Sequence, residues 1–365
     1  AQRRLQSFDN SATVDPRGIE PGGILKSTNL PINDKKSDMS IKHLHHVTLA
    51  VPDVAVQNTF YEDFGLTGRT VGERAILRCK GRNQDQVIII PGNKMKLHDI
   101  SFGATKTGLA DIEKRIKRSA DTVIERQPSE APYDGIWLRH EFDGMLYNIN
   151  ISDPAAGLGG PKPAKKTPGF DVNTPGHYKR VNKKGGAPFD TKVYPSRLGH
   201  IVHFTTDVDR KIDFYTRVLG LKLTDRSGDF IAFLRVPGGS DHHVIAVIKG
   251  DKPGIHHTSF EVNNIDEMGI AGQRMMDKGY RNGWGIGRHA LGSNFFWYIR
   301  DPHNGLAEYF SDIDYISDDR KWRARDWPME VSFFLWGPPP PAEFGRNFEG
   351  TRKTTKPKPL VLSRT

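Results

Sequence analysis

The chain of 365 residues contains one cysteine, Cys79. That excludes an intramolecular disulfide framework and points to a reducing, cytoplasmic setting. No run of about 18 apolar residues occurs, and the N-terminus lacks an apolar stretch, so neither membrane span nor export signal is expected. Zinc-finger, RNA-recognition and basic-zipper spacings are missing too, although the formal charge is +10. The charge is localised: residues 155–197 carry nine Lys/Arg against Asp171 and Asp190, a net of +7, and residues 346–365 carry six against Glu349, a net of +5. The remainder is −2. A basic excess confined to Pro/Gly-rich connectors is a solvated segment, so no nucleic-acid partner is expected.

What is present is a repeat. "HHVTLAVPDVAVQNTFYEDFGL" (45–66) matches "GHIVHFTTDVDRKIDFYTRVLGL" (199–221). His46 corresponds to His200, Asp53 and Asp207 follow seven residues later, and Phe60-Tyr61 and Phe214-Tyr215 follow fourteen and fifteen later. Self-similarity of this length means a duplicated domain. The expected organisation is an arm (1–38), a first domain (39–154), a basic Pro/Gly-rich linker (155–197), a second domain (198–312) and a lid or tail (313–365). Each domain reads strand, helix, three strands, twice over, with β-branched and aromatic runs separated by Gly/Asp/Pro clusters. The fold class is α+β, two domains of paired βαβββ modules.

The two halves also serve as controls for each other. Matching "AILRCKGRNQDQVIII" (75–90) to "AFLRVPGGSDHHVIAV" (232–247) sets Gln86 against His243. Matching "LHDISF" to "IHHTSF" sets Asp99 against His257, and "DGMLYNIN" to "NGLAEYFS" sets Tyr147 against Glu308. Only the second half therefore holds His200, His243, His257 and Glu308 together. Two neutral imidazoles and a carboxylate are the ligand set of a facial triad, which leaves coordination sites open on an octahedral Fe(II). His243 then stands beside the metal as an acid/base. In the first half, His43, His45 and His46 are expected to lack a carboxylate partner, and that domain reads as structural.

"GRHALGSNFFWYIRDPHNGLAEYF" (287–310), "LGHIVHF", "HHTSFEV" and "DHHVIAV" resemble the signatures of the type I extradiol catechol dioxygenases of the vicinal-oxygen-chelate superfamily (glyoxalase fold). The resemblance implies Fe(II), or Mn(II) as in some relatives, on His200, His257 and Glu308. It implies a catechol and O2 as substrates, and a ring opened beside the diol to a 2-hydroxymuconate-type product, as in aromatic-compound degradation. By the same resemblance His243 takes up and returns a proton, while Tyr298 and His289 polarise substrate oxygens. It further implies a homo-oligomer, a tetramer or larger.

Substrate selection is open at this level. Val202 is apolar where relatives acting on carboxylated catechols carry asparagine. "RKWRARDWP" (320–328) resembles the segment in which such relatives place arginines, which makes Arg323 and Arg325 candidates for a carboxylate clamp. His242 is a further substrate-binding candidate. Two other functions fit the fold: an α-keto acid oxygenase of the 4-hydroxyphenylpyruvate dioxygenase type, and a non-catalytic small-molecule binder.

Overall fold

The computed structural model describes residues 41–152 and 191–352, together with 23–24, 172–173, 178–183, 354–355 and 357. Nearly all of the expected arm, most of the expected linker and the end of the tail lie outside the described residues. The chain is α+β and holds two large sheets of eight and eleven strands.

Both sheets are built around the same four central strands. In the first, Ile41–Val51 runs parallel to Val87–Pro91 and antiparallel to Lys96–Ala104, which in turn runs parallel to Met145–Ile151. In the second, Arg197–Thr205 runs parallel to Ile245–Lys249 and antiparallel to Gly254–Glu261, which runs parallel to Leu306–Ser311. These are the His200, His257 and Glu308 strands, side by side at the centre of the sheet. Burial runs along most of their length because helices cover one face and the site occupies the other.

The repeated residues have local causes. Asp53 and Asp207 are N-caps: each side chain accepts a backbone N–H, from Val56 and Arg210 respectively, at the start of its helix. The repeated Phe-Tyr pairs are the buried face of those helices. The second helix differs in one respect, since Val208–Asp213 continues as a π-helical turn, Phe214–Val218.

The expected linker overlaps the second sheet. Arg197 opens a central strand, buried and ion-paired with Asp241 and Glu261.

The two halves share one core. Phe64 stacks on Tyr309 with ring centroids 3.7 Å apart, and the Tyr309 hydroxyl donates to the Phe64 carbonyl. Lys211 is buried against Asp143 across the same boundary, 2.6 Å away. The segment after residue 312 folds back over the second sheet. Arg325–Asp326 adds beside Lys222–Ser227, and Phe334–Trp336 adds beside Arg281–His289 at the opposite edge. Further on, the Glu349 carboxylate accepts the backbone N–H groups of both Leu97 and Ile255, one from each sheet.

Candidate active site

The pleat decides what faces the cup. His200 and Ser259 are paired across adjacent strands, as are Val202 and His257, and Ser259 pairs with Glu308 on the far side. His200, Val202, His257 and Glu308 therefore share one face. His200 Nε2 lies 3.0 Å and His257 Nε2 lies 3.3 Å from Glu308 Oε2. All three side chains are buried.

This cluster fits a divalent transition metal. Donor atoms about 2.1 Å from a common ion sit roughly 3 Å apart in neighbouring positions, which is the spacing observed. His257 Nε2 has no hydrogen-bond partner, a costly condition for a buried nitrogen and the expected one for a ligand atom. Among the described residues no other group of three His, Cys, Asp or Glu side chains converges in this way. Burial would raise the Glu308 carboxyl, but the adjoining His200 and His257 imidazoles outweigh it and hold the group well below its usual range. Burial also pushes His257 down, so a neutral imidazole faces a carboxylate.

The adjacent histidine pairs have a common geometry. His257 Nδ1 is 2.6 Å from His256 Nδ1, and His256 Nε2 is 3.0 Å from the Phe344 carbonyl. A carbonyl only accepts, so His256 Nε2 carries the proton and His256 Nδ1 is the acceptor. His257 Nδ1–H donates to it, which leaves His257 Nε2 as a lone pair aimed at Glu308. Gly199 serves His200 differently. A Cβ there would lie 2.3 Å from the Phe310 ring, which packs 5.0 Å from His200.

Around the cluster stand the other candidates. The His243 ring lies 4.3 Å from His200, and burial pushes its imidazole well below the usual range. His289 Nε2 is 2.9 Å from the Tyr298 hydroxyl, and His289 Nδ1 is 2.9 Å from the Phe333 carbonyl, which fixes the ring. Burial pushes His289 down to about 4 and the Tyr298 phenol well above its usual value. Above them opens a cavity of about 600 Å³, counting the part open to solvent. His200, Val202, His243, His257, His289 and Tyr298 line it, with an apolar wall of Phe230, Ile231, Phe233, Ile248, Leu291, Met329, Phe333 and Phe344.

Three candidates are placed elsewhere. His242 is buried behind His243 and does not line the cavity; its Nε2 is 3.1 Å from Asp225 Oδ2. Arg323 and Arg325 are exposed and absent from the cavity wall, and the Arg325 guanidinium lies 5.8 Å from the Trp327 ring. Arg325 reaches inward only by its backbone N–H, which donates to Asp225 Oδ1. The outward direction follows from strand alternation in Arg325–Asp326.

Two alignments between the halves also change. Val47 and Ile201 bond the carbonyls of Gln86 and Val244, so Asp85, not Gln86, is the counterpart of His243. Ser101 pairs with Asn148 as Ser259 pairs with Glu308, so Asn148, not Tyr147, is the counterpart of Glu308. Tyr147 points into the core and its hydroxyl meets that of Tyr215 at 3.1 Å. The first half also has a carboxylate beside His46, contrary to expectation, with Asp99 Oδ2 at 3.6 Å from its Nε2.

Asn294 was not anticipated; its amide lies 3.4 Å from Glu308 Oε1. Nothing in the sequence marked it, nor the Phe344 and Phe333 carbonyls that orient two histidines from a distant segment.

Comparison with known proteins identifies the family. Residues 197–309 match the family model of the Glyoxalase/Bleomycin resistance protein/Dioxygenase superfamily. The chain is 36% identical over 317 residues to metapyrocatechase 2 of Cupriavidus necator, covering 85% of this chain and 93% of the relative. An iron-dependent extradiol dioxygenase of Rhodococcus jostii is 31% identical over 153 residues, 38% of this chain and 50% of that one. The fold is also that of a Mn(II)-bound glyoxalase from Novosphingobium aromaticivorans, with TM-score 0.65, 22% identity, and coverage of 83% of this chain and 93% of that one. The chain is thus a ring-cleaving member of the extradiol catechol dioxygenase family.

Proposed function

We propose that this chain opens uncharged, alkyl- or aryl-substituted catechols beside their diol, with Fe(II) on His200, His257 and Glu308. The observation that supports this most directly is an apolar cavity set above that donor set, with no Lys or Arg among its lining residues. When bound, the metal supplies the electronic link between an electron-rich catechol and O2. The residues of the chain supply the rest. The apolar wall takes up ring substituents and excludes water from the reacting face. His243, neutral by burial, accepts a proton from the diol as it binds and returns it as the ring opens. The Tyr298 phenol, held protonated, donates to His289 Nε2, whose Nδ1–H is fixed on the Phe333 carbonyl, and turns that O–H to a substrate oxygen as the catechol binds.

Two finer readings go with this. Fe(II) is the proposed metal, with Mn(II) as the alternative that the same donor set admits. A homo-oligomer of four or more chains rests on family resemblance and is checked by sedimentation. Among the described residues no helix is long and apolar enough to cross a membrane.

The test is oxygen uptake by Fe(II)- and Mn(II)-reconstituted protein with catechol, 3- and 4-alkylcatechols, a biaryl catechol and homoprotocatechuate. Stoichiometric uptake with a yellow ring-fission product, lost in Glu308→Ala, is the expected result. Iron-loaded protein that consumes no oxygen with any catechol would overturn the proposal and favour the α-keto acid class.

A further inference from the structure

The mechanism above leaves one buried polar pair without a role. His242 and Asp225 are both buried, sit behind the cavity wall and touch neither the metal ligands nor the cavity. Their geometry is directional. Asp225 Oδ1 accepts the Arg325 backbone N–H at 2.9 Å, and Oδ2 lies 3.1 Å from His242 Nε2. His242 Nδ1 in turn lies 3.1 Å from His243 Nδ1. The His242 ring is held on its other sides by edge contacts with Phe233 and Trp322, so it has one orientation.

We propose that His242, seated on Asp225, is a positioning residue that selects the tautomer of His243. A carboxylate accepts only, so the ring's proton sits on His242 Nε2 and, with that single proton placed there, His242 Nδ1 is an acceptor. His243 Nδ1–H must then donate to it, which leaves His243 Nε2 as a lone pair on the cavity side. Without this chain the two His243 tautomers would be set by the cavity alone, and part of the enzyme would present N–H where a base is required. The same arrangement holds His257, with the Phe344 carbonyl in place of Asp225. That recurrence answers why histidines occur in adjacent pairs here: the first of each pair sets the tautomer of the second. Asp225 is also the point at which the Arg325 segment, folded back over the sheet, reports on His243.

The proposal rests on the reading of His243 as the proton-moving group, and the experiment separates the two. Steady-state kcat, KM for the best catechol and iron content are measured on iron-loaded wild type, His243→Asn, His242→Leu, His242→Asn and Asp225→Asn. His242→Leu is expected to lower kcat by about 10- to 100-fold with KM and iron content little changed, the size usual for loss of an orienting partner. His242→Asn, whose amide oxygen can accept the His243 Nδ1–H, is expected to recover most of that loss. Asp225→Asn offers one oxygen to two donors, the Arg325 N–H and His242 Nε2–H, and is expected to lower kcat even where His242→Leu fails to fold. Wild-type kcat in both His242→Leu and Asp225→Asn, with His243→Asn impaired, would overturn the positioning role alone. Equal losses in His242→Leu and His242→Asn, or losses carried entirely by KM, would overturn it as well. Wild-type kcat in His243→Asn would overturn the underlying reading, and this role with it.

Discussion

Asn148 occupies in the first sheet the register that Glu308 occupies in the second, each opposite a serine of the neighbouring strand. The exchange of a carboxylate for an amide goes with a closed network. Asn148 Oδ1 accepts from the Ser101 hydroxyl at 2.7 Å and from the Asn150 amide at 3.1 Å, and the Tyr133 ring lies 4.6 Å from His46. The first cup thus keeps His46 and Asp99, but among the described residues an amide stands where the second sheet has its carboxylate, and the Tyr133 ring packs against His46.

The expectation is that metal binds only at the second sheet. Wild type and Asn148→Ala are expected to hold about one equivalent of iron per chain, and Glu308→Ala close to none, because a facial site needs all three donors. Metal content after desalting decides this. Equal loss in both variants would show that the first cup takes part.

The cavity wall sets a second expectation. A carboxylated catechol would leave an anion unpaired against Phe230, Phe233, Ile248 and Met329. An unpaired buried charge costs several kcal/mol, so kcat/KM for 3-alkyl or biaryl catechols should exceed that for homoprotocatechuate by about 100-fold or more. A ranking in the opposite order would return Arg323 and Arg325 to the site.

Glu349 ties the two sheets through one oxygen, Oε1, which accepts from both Leu97 and Ile255. Glu349→Ala strands two backbone donors and is expected to lower stability by about 1–3 kcal/mol, while Glu349→Gln, which keeps that oxygen, should lose less. Thermal unfolding of the pair gives the comparison. Identical melting temperatures for both variants would deny the clamp.

The pH dependence of stability has a source outside the site. His203 donates from Nδ1 to the Phe204 carbonyl and accepts the Tyr215 hydroxyl at Nε2, 2.7 Å away, and burial pushes it down to about 3 from 6.5. Its folded pKa lies below its unfolded value, so its contribution is complete above pH 6.5 and is lost as pH falls toward 3. By pH 5 the loss is about 2 kcal/mol. Denaturant unfolding of wild type and His203→Gln at pH 7 and pH 5 should show their stability difference shrink by that amount at pH 5. A difference independent of pH would mean that His203 is not held neutral.

What the sequence determined by itself was everything carried by local spacing. The strand alternation, the repeated Asp53 and Asp207, the Phe-Tyr pairs and the grouping of His200, His257 and Glu308 all follow from residues within one element or from one half matched to the other. Those signals are short-range, and strand pairing preserves them. The tertiary structure decided the rest, because a pleat has a period of two and a one-residue change in a turn moves a side chain to the other face. That is why Tyr147 and Gln86 yielded to Asn148 and Asp85, and why Arg325 turned outward. Which imidazole nitrogen meets the metal or the substrate was likewise beyond the sequence. It depends on Phe333 and Phe344, which reach the histidines only when the later segments fold back over the sheet, and on Asp225, which strand pairing within the sheet brings to His242.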